Sequence, residues 1–165
     1  MLLYLMRHGI AIDREEPDCP PEPERHLTPK GIEKTRGAAR GLLTLKVNPD
    51  VVLSSPYLRA VQTAEIACVA LEIPVSDIKR TDALLPGASP LMLFEELSKS
   101  KAEEVLCFGH APNMDELIAQ AVHAPKAITQ LKKAGAACIE LSSVSPVDGE
   151  IVWLLTSRAL RALGE

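Results

Sequence analysis

The chain has 165 residues, 47% of them hydrophobic and 24% charged, the make-up of one globular domain that can bury a core without disulfides or metals. A formal charge of -4 excludes broad nucleic-acid binding, which needs a surplus of Lys and Arg on one face, yet leaves room for one locally basic site. No segment approaches the ~18 apolar residues of a membrane span, and Met1 to Met6 is too short for a signal peptide and has no basic leader, so a cytoplasmic protein that binds no membrane is expected. Cys19, Cys68, Cys107 and Cys138 form no close pair of the kind metal and redox motifs require. Three of them lie in apolar segments, where a thiol acts as a small hydrophobe. A reducing compartment suits them, and no metal or other cofactor is expected.

Along the chain, apolar runs alternate with segments of helical period. Leu2 to Met6 is a continuous apolar run, the pattern of a strand covered on both faces. Residues 11 to 26, rich in Pro, Glu and Asp, read as an irregular surface loop. Thr28-Pro29 supplies a cap and a first-turn proline for a helix in which Ile32, Thr35, Ala39, Leu42 and Leu43 follow at helical spacing. Val51 to Leu53 is a second strand, and Ser55-Pro56 begins a second helix with Tyr57, Val61, Ala64, Cys68 and Leu71 inward, ended by Pro74. Ser89-Pro90 opens a third helix carrying Leu93, Phe94 and Leu97. Val105 to Phe108 is a third strand, followed by Gly109-His110 and a helix from about Pro112 to Val122. Residues 136 to 144 and 150 to 156 read as strands joined across Asp148-Gly149, with a short helix at the end. The expected fold is a three-layer α/β/α sandwich over a mostly parallel, mixed sheet.

Open α/β sheets bind ligands beyond the carboxyl ends of their strands. The first strand delivers Arg7, His8 and Gly9 there; the second delivers Ser54-Ser55 and then Arg59; the third delivers Gly109 and His110. Each residue alone has a plain structural explanation. Arg59 is harder to dismiss, because a cation in a first helical turn opposes the helix dipole and so signals a nearby anion. Two guanidinium forks can hold a dianionic phosphoryl group, and their charge keeps a neighbouring imidazole unprotonated and nucleophilic. Phosphoryl transfer needs such fixed positive groups.

These residues carry a resemblance. Leu5-Met6-Arg7-His8-Gly9, the stretch Ser54 to Ala64, and Gly109-His110 resemble, in order, the signatures of the histidine phosphatase (phosphoglycerate mutase-like) superfamily, and Arg25 to Gly31 resembles the start of its first helix. The size, without a large insertion, is most similar to SixA-type phosphohistidine phosphatases. The resemblance implies a phosphoglycerate mutase-like fold spanning residues 1 to 165. It makes His8 the nucleophile, with Arg7, Arg59 and His110 binding the phosphoryl group and Arg25 a further phosphate-binding candidate.

One departure bears on the substrate. Many members place a glutamate acid after the second helix; here Thr81 to Gly87 holds only Asp82, and Asp13 in the loop after His8 is a second candidate acid. Expelling an alkoxide demands a strong proton donor, whereas a protonated imidazole leaves readily. A weak acid therefore favours P–N over P–O cleavage. The expected partner is a phosphorylated protein carrying phosphohistidine. A small phosphate ester is the alternative substrate, and a phosphoprotein-binding module with little turnover is the alternative class.

Overall fold

The computed structural model describes residues Met1 to Glu165. Six strands form one sheet: β1 (Leu2–Arg7), β2 (Val51–Ser54), β3 (Ile78–Arg80), β4 (Glu104–Gly109), β5 (Ala136–Val144) and β6 (Val147–Leu155), in the order β3-β2-β4-β1-β5-β6. The first four in that order run parallel; β5 joins β1 antiparallel and β6 joins β5 antiparallel, so β5 alone runs against the rest. The sheet is mixed, as expected.

Alternation along β1 shows why its apolar run is continuous. Leu3 and Leu5 enter one core with Leu93 and Leu97 of α3 (Pro90–Ser98) and Leu117 and Ile118 of α4 (Asn113–Ala121). Tyr4 and Met6 enter the other core, shared with Leu42 of α1 (Pro29–Thr44), Ala64 and Cys68 of α2 (Leu58–Ala70) and Leu160 of α5 (Ser157–Leu163). Helices therefore cover both faces, the third layer that the sequence implied. Cys68, Cys107 and Cys138 are buried free thiols and Cys19 is half-buried.

Several details differ from the sequence reading. The α1 cap is as expected, with Thr28 Oγ1 accepting from Gly31 N at 3.0 Å, but Leu43 is 52% exposed, because the stripe of Gly37, Ala38, Gly41 and Leu42 faces inward instead. Gly41 belongs to that stripe for a steric reason: a Cβ there would strike the Leu160 carbonyl of α5. Ser55 does not start a helix; α2 begins at Leu58, since the Ser55 side chain is buried against His110. The edge strand β3 was not expected. The last two strands turn at Ser145-Pro146, and Asp148-Gly149 lies inside β6. Residues 11 to 26 are also less irregular than their composition suggests. They are closed at the base by a bridge between Ala11 and Leu27 and contain a 3-10 turn at Glu22–Glu24.

Candidate functional site

Strand order places the site. Since β4 lies between β2 and β1, the residues leaving these three strands are neighbours. His8 N donates to Gly109 O at 3.0 Å and Ser55 N to Phe108 O at 2.9 Å. Gly9 is held by Thr63, whose Oγ1 accepts from Gly9 N at 3.0 Å while donating to Arg59 O at 2.7 Å. A Cβ on Gly9 would collide with Thr35 Oγ1, so the chain leaves His8 through a gap only glycine fits.

His8, Arg59 and His110 are 7%, 3% and 2% exposed. The His8 Nδ1 lies 2.7 Å from Gly9 O. A carbonyl only accepts, so Nδ1 carries the proton and Nε2 presents its lone pair in the neutral ring. Arg59 Nε donates to that Nε2 at 3.3 Å. The His8 and His110 rings are 5.1 Å apart, and Tyr57 packs edge-on to His110 at 5.5 Å. His110 Nε2 lies 2.8 Å from Ser55 Oγ, which also accepts from Tyr57 N at 3.3 Å.

Both imidazoles are held unprotonated. Burial, then the neighbouring His110, Arg59 and Arg7, push His8 down to about 3 against the opposing pull of the Gly9 carbonyl. Burial and then Arg59 push His110 down to about 3, with Glu22 opposing and Arg7 assisting. Arg7 meets neither ring through a hydrogen bond; its Nη1 donates to Leu131 O at 2.9 Å and its Nε is buried without a partner.

A residue the sequence reading passed over completes the cluster. The carboxylate of Glu22 accepts from Arg59 Nη2 at 2.8 Å, Arg25 Nη1 at 3.2 Å and Arg14 Nε at 2.9 Å. The Arg14 hydrogen bond, reinforced by Arg59 and Arg25, holds Glu22 down at about 2. The anion that Arg59 demanded at its helix terminus is thus supplied from the loop. Arg25 touches this cluster only through Glu22, and its Nε and Nη2 donate to Ile12 O at 3.0 and 2.7 Å. Glu22 sits among similar acids in the loop, and only its long-range partners distinguish it.

The two candidate acids stand apart. Asp13 is exposed and its Oδ1 accepts from Glu15 N at 3.0 Å, a local loop turn. Asp82 is exposed at the start of a 3-10 turn and bonds to none of the four site residues. No helix is long and apolar enough to cross a membrane.

Comparison with known proteins bears on the family and the fold. The family model for the histidine phosphatase superfamily (branch 1) matches residues 3–84. The chain is 31% identical over 127 residues to the phosphohistidine phosphatase SixA of Escherichia coli K12, covering 73% of each chain. It is 35% identical over 119 residues to an uncharacterized protein of a Picosynechococcus species, covering 70% of each. Among solved structures, protein histidine phosphatase SixA complexed with tungstate superposes with a TM-score of 0.85 at 27% identity, over 97% of this chain and 99% of that one.

Proposed function

The chain belongs to the histidine phosphatase superfamily, and on that premise we propose that it removes phosphate from phosphohistidine on a partner protein, through a covalent intermediate on His8. The observation that carries this reading is the pair of contacts on one ring. Gly9 O fixes the proton on Nδ1 of His8, and the unprotonated Nε2 accepts only a long 3.3 Å hydrogen bond from Arg59 Nε, which it gives up as it attacks. The similar structure of protein histidine phosphatase SixA is complexed with tungstate, a phosphate-like oxyanion, which supports an oxyanion as the ligand class.

In this mechanism His8 Nε2 attacks phosphorus in line with the leaving imidazole nitrogen, forming one P–N bond as the other breaks. The leaving nitrogen keeps the electron pair of the broken P–N bond; with a proton on its other nitrogen, the substrate ring departs as neutral imidazole and needs no proton at the leaving atom. Arg59 and Arg7 balance the charge on the equatorial oxygens. His110 adds a neutral ring: Nε2 shares a hydrogen bond with Ser55 Oγ and Nδ1 has no partner in the protein, so in the tautomer that takes the Ser55 proton at Nε2 the ring presents an Nδ1–H to a phosphoryl oxygen. Water then attacks the phosphoryl group on His8, releasing phosphate and the free imidazole.

The test is a substrate comparison. A phosphohistidine-bearing domain and a panel of phosphate esters are each incubated with wild type and His8→Ala. The reading expects phosphohistidine turnover to exceed that of every ester and to vanish in the variant; turnover confined to esters would overturn the substrate assignment.

A further inference from the structure

Beside the His8 site, on the β5 side of β1, lies a pocket of about 420 Å³ lined by six cationic residues: Arg7, Lys34, Lys132, Lys133, Arg158 and Arg161. In a chain of net charge -4 such a concentration is unexpected. No carboxylate lines it, and the ion pairs of the molecule involve none of the six. The field of Asp13 reaches Lys133 from the loop, but burial and the charges of Arg7 and Arg25 outweigh it and lower the Lys133 pKa. Three polar atoms of its lining residues, Arg7 Nε, Ser157 Oγ and Arg161 Nε, are buried without any partner. Mutual repulsion among these cations is relieved by one event, entry of an anion.

The pocket is physically joined to the site. Ala134 N, next in chain to Lys133, donates to Arg7 O and His8 O at 3.1 and 3.2 Å, and Arg7 N donates to Gly135 O at 3.1 Å. Ala134 takes a left-handed φ of 54°, a tight turn that presents the two lysines while keeping the backbone on β1. Lys132, Lys133 and Arg158 are exposed at the rim.

We propose that this pocket is a second anion subsite, receiving an acidic group that the substrate carries beside its phosphoryl group. The proposal rests on the phosphatase reading of His8 and adds a requirement on the substrate: it bears a second negative charge, a carboxylate or phosphate, next to the scissile one. That group comes either from acidic side chains flanking a phosphohistidine or from a second phosphate on a small molecule, and matched substrates separate the two.

The experiment uses phosphohistidine peptides flanked by Glu or by Gln, a hexose bisphosphate with its monophosphate, and 4-nitrophenyl phosphate as a single-anion control. Wild type is compared with Lys133→Ala/Arg158→Ala. The expected result is about a tenfold preference of wild type for the doubly anionic member of one pair, expressed in KM and not in kcat. That preference disappears in the double variant, while 4-nitrophenyl phosphate turnover stays unchanged. The pair that shows the preference identifies the source of the group. Absence of a preference in both pairs, or its survival in the variant, overturns the proposal. Should wild type turn over none of these, the phosphatase reading fails by itself, and calorimetry with inorganic pyrophosphate still reads the pocket. Binding weakened about tenfold in the double variant then supports the subsite, and equal binding refutes it.

Discussion

Arg59 Nε points at His8 Nε2 from 3.3 Å, while the other two nitrogens of the same guanidinium bond to Glu22, Nη1 to its carbonyl at 2.8 Å and Nη2 to its carboxylate at 2.8 Å. One planar fork thus steadies the imidazole and restrains the loop over it. A lysine has no fork and cannot hold both. Arg59→Lys is therefore expected to lower kcat/KM by about two to three orders of magnitude, the cost of losing a preorganised donor, with little change in folded content by circular dichroism. Activity within about tenfold of wild type would show that a point charge suffices.

The Glu22 carboxylate occupies Arg59 and Arg25 as an oxyanion would. A substrate phosphoryl group must share or displace it, so Glu22→Gln should tighten inorganic phosphate binding by about tenfold, removing a charge-assisted competitor. Calorimetric titration checks this. Weaker binding in the variant would mean that Glu22 orients Arg59 and does not compete.

Burial of two neutral imidazoles links stability to pH. His8 and His110 titrate near 3 in the folded chain and near ~6.5 when unfolded, so between these values the unfolded chain binds more protons and stability rises with pH. From pH 7 to pH 5 the unfolding midpoint in urea should fall in wild type, and fall less in His8→Asn and His110→Asn. The range stays above the titration of Glu22, whose depressed value of about 2 adds its own acid loss only below the ordinary carboxylate range. An equal slope in all three proteins would show that the rings are not buried neutral.

How much of this was legible in the sequence follows from how local each signal is. β1, β2 and β4 are short apolar runs, and His8, Ser55 and His110 follow them directly, so the site's place at one sheet edge could be read in advance. β3 could not. It is three residues, two of them charged, held by β2 alone at the sheet edge. The Asp148-Gly149 pair resembles a hairpin turn, but Gly149 stands opposite Leu141, where a Cβ would press on Glu140 O. Its glycine serves close strand approach near a bulge. Glu22 is 37 residues from Arg59 in sequence, and only the fold joins them.

The carboxylate candidates yield a further prediction. Neither Asp82 nor Asp13 bonds to the His8 cluster, and an imidazole leaving group needs little acid help. Asp82→Asn and Asp13→Asn should each keep phosphohistidine hydrolysis within about twofold of wild type, measured by phosphate release. A loss of about a hundredfold in either would identify it as the missing acid.

The central claim is that His8 Nε2 becomes phosphorylated. Rapid quench of wild type with a phosphohistidine-bearing domain labelled in phosphate, followed by mass spectrometry at neutral to alkaline pH, tests it directly. The account predicts an acid-labile phosphoryl group on His8 within one turnover and none in His8→Ala. Label on another residue, or phosphate release by His8→Ala at the wild-type rate, would contradict it.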